Sequence, residues 1–227
     1  MPVAFRSSSA GTASVGNITV TAPAGVADGD FLVAIAWSDD GLVQVTAPAG
    51  WAAAAPVQSV SGVGVGKVWT KTAASEPGSE VWTGGGNSTS IVFVMAFTGA
   101  SGIDVGPTFA NGTTASTTRT APTISPIGAD SILVVSFASL VNNAGADAYT
   151  TPTNMTERHD VGDAASPYYS AALDTQVLVA AGATGTRVST ATRSAKWQAV
   201  SLAVKSAPVS TSLAMPPQRR ARPNYRR

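Results

Sequence analysis

The chain has a single histidine, His159, in the run Thr156-Glu157-Arg158-His159-Asp160. Serines are plentiful, so a Ser–His–Asp relay can be drawn. Yet no Gly-x-Ser-x-Gly elbow leads into a helix, and neighbouring residues on a strand or loop point different ways. The run is therefore read as a solvated turn with Glu157 and Arg158 at the surface. Asp39-Asp40, and Asp160 with Asp163, carry nothing that would hold two acids across a cleft at the spacing glycoside hydrolysis needs. Asp28-Gly29-Asp30 and Asp39-Asp40-Gly41 lack the full spacing and closing Glu of a calcium loop, so turn formation accounts for them. Gly62-Val63-Gly64-Val65-Gly66-Lys67 and Gly84-Gly85-Gly86-Asn87 do not match a phosphate-cradling loop and read as hairpin connections or extended segments. There is no cysteine, which removes disulfides and thiolate metal ligation. No catalytic residue, metal site or cofactor is expected, and the chain is read as a non-enzyme.

The strongest functional signal is a charge asymmetry. Residues 1–206 hold nine Lys and Arg against all thirteen Asp and Glu, a net of −4, while the last stretch carries five Arg and no acid. Those are Arg219, Arg220, Arg222, Arg226 and Arg227, with Pro223 and Tyr225 among them. Arginine makes forked hydrogen bonds to carboxylates, and proline and tyrosine add apolar contact, so these seven residues are candidate contacts to an acidic protein partner. Counterion release would also favour nucleic acid, but the acidic body would repel it. Nucleic acid is therefore not the expected partner, and the remaining alternative is a solubilising tail with no partner.

Aromatic side chains offer a second kind of surface. Trp37, Trp69, Trp82 and Trp197 fall in apolar strand-like runs and suit sheet packing. Trp51 follows Pro48-Ala49-Gly50 and can close a loop over the core or, with Tyr168 and Tyr169 in a loop, offer candidate glycan contacts.

The elements that must position these residues are strands. Charged residues make up 12% of the chain, where about 25% is usual, and Gly, Ala, Ser, Thr and Val dominate. Period-2 runs bounded by Gly, Pro, Asn and Asp predict strands over 17–21, 31–37, 66–72, 80–83 and 91–98, then 117–121, 131–138, 171–180, 186–190 and 196–205. Phe31–Trp37 and Ile91–Phe97 are apolar at nearly every position and predict central strands covered on both faces. Ala52–Ala55 is too short to nucleate a helix and reads as strand or loop. The segment Met1–Ser7 lacks the pattern of a secretory leader, and no apolar run approaches the roughly 18 residues that span a bilayer.

An internal repeat organises the body. Thr21-Ala22-Pro23 and Ala27–Ala34 answer to Thr120-Ala121-Pro122 and Gly128–Val135. Thr46–Trp51 answers to Thr150–Met155, and Val92–Ala100 to Ala199–Ala207. The expected fold is an all-β, antiparallel, jelly-roll-like sandwich over 1–206, built from duplicated halves of about 1–105 and 106–206. A single sandwich is favoured over two tandem ones, because no linker-like stretch separates the halves and small sandwiches without disulfides are marginal. Four prolines and no apolar period then predict an extended basic arm over 207–227.

The sequence resembles a family of β-sandwich proteins encoded in the structural gene clusters of tailed phages that infect actinobacteria. The resemblance lies in Ile18–Pro23 followed by Ala27–Ala34, in Pro48-Ala49-Gly50-Trp51, and in Ala180–Arg187, and covers nearly all of 15–206 but not the arm. It implies a virion protein of capsid-decoration or minor tail type, assembled in the host cytoplasm, whose partners are capsid or tail subunits or further copies of itself, with no membrane. The alternative is a carbohydrate-binding module that attaches to host surface glycans.

Overall fold

The computed structural model describes residues 2–39, 44–84, 88–141, 145–162 and 168–208. Their regular structure is all strand: β1 (Ala4–Ala13), β2 (Ile18–Thr21), β3 (Phe31–Ser38), β4 (Ala52–Ala53), β5 (Gln58–Val60), β6 (Gly64–Thr72), β7 (Ser79–Trp82), β8 (Ser90–Thr98), β9 (Ala100–Ala121), β10 (Ser131–Val141), β11 (Thr156–Gly162), β12 (Tyr168–Leu178) and β13 (Arg187–Ser206). One antiparallel sheet runs β1-β8-β3-β6-β4, with β5 also paired to β6. The second runs β9-β13-β10-β12-β11, and β2 and β7 form a separate ribbon. The chain completes the first sheet before starting the second and crosses between them at Gly99, whose φ of 66° is the left-handed turn that glycine adopts without strain.

The two sheets share one core. Val33, Ile35 and Trp37 of β3 and Phe93, Met95 and Phe97 of β8 meet Ile132 and Val134 of β10, Tyr169, Ala171 and Leu173 of β12, and Val200, Leu202 and Val204 of β13. The buried Trp37 indole N–H crosses the interface to donate to Ser136 Oγ at 2.9 Å. Alternate residues on a strand face opposite ways, and the other faces of these strands are covered too. Ile18, Val20, Val45 and Trp82 pack over Ala34, Ala36, Val92 and Val94, and Ala121, Ile124, Tyr149 and Ala191 pack over Leu133, Val135, Phe137 and Ala199. That double cover is why Phe31–Trp37 and Ile91–Phe97 are apolar without alternation.

The strands at 18–21, 31–38, 64–72, 79–82, 90–98 and 131–141 lie where the sequence predicts them. Elsewhere the structure differs. β1, β5, β11 and residues 100–116 of β9 have no counterpart in the predicted set, and the two runs at 186–190 and 196–205 are one bent strand, β13, with register shifts after Thr190 and Ala195. β1 and β9 are sheet edges whose Ser-, Thr- and Gly-rich side chains are mostly half-buried or exposed, so no apolar period marks them.

Candidate functional site

The arm residues Arg219, Arg220, Arg222, Pro223, Tyr225, Arg226 and Arg227 lie outside the described residues. The structure does fix where the chain leaves the body. Ser206 Oγ accepts from Val3 N at 2.8 Å and donates to Asp130 O at 3.2 Å, and Ala207 N donates to Gly99 O at 2.7 Å. This exit lies at the sandwich end where β10 begins and β12 finishes. Exposed aliphatic side chains gather at that same end: Ile127 and Val179 are each 84% exposed and Val177 63%. β11 stops pairing at Thr175 and leaves Val177 uncovered. Gly182 N donates to Pro126 O and Thr184 N to Ile124 O, both at 2.9 Å, tying the loop after Val179 to the segment that carries Ile127. Single exposed aliphatics are ordinary, but a group held on tied loops marks a contact surface.

The three candidate glycan contacts do not form one platform. Trp51 is half-buried over the outer face of the first sheet. Its ring centroid lies 5.1 Å from that of Trp82, its Nε1 donates to Glu80 Oε2 at 2.8 Å, and Lys71 Nζ sits 5.7 Å above it while bonding Glu76 and Glu80 at 2.8 Å each. Two opposing effects act on Lys71. Burial pulls its pKa down, but the two carboxylates outweigh that and leave it raised. Tyr168 and Tyr169 open strand β12 rather than lying in a loop. Tyr169 is fully buried in the inter-sheet core, and the apolar surroundings drive its hydroxyl pKa far up. A residue walled in by the core cannot meet a ligand arriving from outside, so of the three only Trp51 and the half-buried Tyr168 reach the surface.

His159 is not in a solvated turn. It sits in β11 at the seam where the edge of the second sheet meets β1 of the first: its Nε2 is 2.9 Å from Ser8 Oγ, and its ring stacks on Phe93 with centroids 5.7 Å apart. Burial lowers its pKa. Arg158 lies alongside, its guanidinium 3.9 Å over the Phe5 ring. Ser8 and His159 have the contact of a nucleophile and its base, but no carboxylate among the described residues bonds Nδ1. Asp160 instead accepts from Tyr149 N at 2.9 Å. The arrangement serves to close the two sheet edges together.

Two polar groupings carry no sequence signal. Under the cover of the second sheet, Arg119 and Asp147 form a fully buried pair at 3.3 Å. Asp147 also accepts from Ser139 Oγ, Thr192 Oγ1 and Arg193 N, while Arg119 donates to the carbonyls of Ser116 and Arg193. Tyr149 joins through its hydroxyl, 2.6 Å from Ser139 Oγ, and burial raises its pKa. On the same outer face, Asp174 of β12 lies opposite Glu157 of β11, with Asp160 two ladder positions along. Asp174 is 2% exposed and its Oδ1 has no hydrogen-bond partner. Desolvation first, then the charges of Glu157 and Asp160, push its carboxyl up to about 7. The three do not converge as ligands for a metal ion.

No family model matches the chain, and no curated protein and no solved structure is significantly similar to it.

Proposed function

We propose that the chain is a non-enzymatic virion structural protein, a capsid-decoration or minor tail component, whose sandwich is anchored to capsid or tail subunits by the basic residues that follow Pro208. The observation that carries this reading is the coincidence at one end of the body. The chain leaves the sandwich, pinned by Val3, Asp130 and Gly99, beside the exposed Ile127, Val177 and Val179. An anchoring segment acts best when it starts next to a surface that its partner also covers, because the second contact is then intramolecular. The family resemblance of residues 15–206 supports the virion setting. The excess of acid in residues 1–206 favours protein neighbours over nucleic acid.

Deleting residues 209–227 is expected to leave the body folded, with an unchanged circular-dichroism melt, and to abolish incorporation into particles. Normal incorporation of the shortened chain would sink the reading. A second reading, attachment to host glycans, has the half-exposed Trp51 in its favour, since an indole held by Glu80 and backed by Trp82 is a rigid platform for a sugar ring. Binding of the protein to a host cell-wall glycan preparation, lost in Trp51→Ala, would place this reading first.

A further inference from the structure

We propose that the carboxylates of Glu157, Asp160 and Asp174 form the docking site for the Arg-rich end, residues 219–227, of the same chain. The inference rests on reading residues 207–227 as an arm and names the surface of the body to which that arm binds before it meets a neighbour.

Three observations lead there. The acids are uncompensated: among the described residues none of the three forms an ion pair. Arg158, between them in sequence, turns to the opposite face, where its Nε donates to Thr175 Oγ1 at 2.8 Å and its guanidinium covers Phe5. Asp174 is buried with one carboxylate oxygen lacking a donor, beneath two exposed acids that each have one oxygen engaged, Glu157 by Thr151 Oγ1 and Asp160 by Tyr149 N. A guanidinium seated between Glu157 and Asp160 lies over Asp174 and offers several N–H groups to oxygens that lack them, which is the forked geometry arginine provides and lysine does not. Burial raises the Asp174 carboxyl first and the charges of Glu157 and Asp160 add to it, and this second contribution is what an arriving cation would offset.

Reach selects the occupant. From Ser206, Asp174 is two strands across and about five residues up the sheet, roughly 20 Å at ordinary strand spacing and rise. The twelve residues 207–218 that separate Ser206 from Arg219 are enough for a chain to reach up to about 40 Å. The arm's own body is therefore presented to it at an effective concentration on the order of millimolar.

Limited trypsin digestion of the full-length protein, with the cuts after Arg219 and Arg220 followed by mass spectrometry, tests the proposal. At low salt the wild-type arm should be cut at least about fivefold more slowly than in Glu157→Gln/Asp160→Asn. The protection should vanish in about 0.5 M salt and should not depend on protein concentration. The double variant changes only exposed side chains, and adding Asp174→Asn gives a second variant expected to show the same fast cutting. Equal rates in wild type and double variant would overturn the proposal, and so would protection that grows with protein concentration, which assigns the arm to a second copy. Particle incorporation of the chain lacking 209–227 is scored separately. If that is normal the anchoring reading fails, whatever the digestion shows.

Discussion

Asp174 and His159 make opposite demands on pH. The folded-state pKa of Asp174 lies above its unfolded value, about 7 against 3.8, so the folded protein holds the proton more tightly. The corresponding stability is full below about pH 4 and is lost as pH rises through 7. His159 has a lowered folded pKa, so the unfolded chain binds the proton more tightly and stability falls as pH drops below 6.5. Asp174→Asn removes only the first effect. The variant should melt with the wild type near pH 4 and be more stable at pH 8 by up to about 4 kcal/mol, as read by thermal melts in high salt. Equal melting temperatures at both pH values would contradict the burial assigned to this carboxylate. Neither Asp174 nor the Arg119–Asp147 pair was legible in the sequence. Arg119 sits in a Thr-rich run and Asp147 between alanines, and nothing local says that a charge there is wholly enclosed. Burying such a pair is favourable only when its remaining polar atoms find partners; those of Asp147 come from Ser139 and from the distant pair Thr192 and Arg193, while Arg119 Nε has none.

Strands that are covered on both faces announced themselves, and strands at the margins did not. β3, β8 and β10 are readable because burial on both sides demands apolar residues throughout. β1 and β9 pair on one side only, and β11 carries Glu157, Arg158, His159 and Asp160 in a row, which looks like a turn until β12 is beside it. The Gly62–Lys67 run was legible as extended or hairpin, but the reason for Gly66 lies in another strand. A Cβ at Gly66 would collide with the Trp37 ring, which lies between the sheets and donates to Ser136. Gly66→Ala should therefore displace Trp37 and cost about 1–3 kcal/mol, with a shift in tryptophan fluorescence. An unchanged spectrum and melt would show that the two strands have room the structure does not give them.

Across the whole molecule the division of labour is by sheet. β1-β8-β3-β6-β4 in the first half and β9-β13-β10-β12-β11 in the second run in the same order, and the β2–β7 ribbon has its counterpart in the pairing of Thr118–Ala121 with Arg187–Thr190. Residues matched by the internal repeat also take matching faces: Val33 and Val134 point into the shared core, Leu32 and Leu133 away from it. The shared order of the two halves was partly visible in the sequence because the matched segments fell on the central strands. Since each half supplies one wall of a common core, neither wall is covered alone. Residues 1–99 expressed without the rest should show no cooperative melt, while the whole chain should unfold in one transition with far-ultraviolet circular dichroism and tryptophan fluorescence superimposed. Two separated transitions would mean that the sheets are stable independently.

The pin that joins Val3, Gly99, Asp130 and Ser206 gives the sandwich a polarity. β3 and β10 both run away from it, and by Ser38 and Val141 the chain has travelled about 25–35 Å at strand rise. A particle that holds the pinned end would present to its surroundings the connections after Ser38 and Val141. Those are the positions where a foreign epitope or an affinity tag could be inserted and carried outward without touching the attachment.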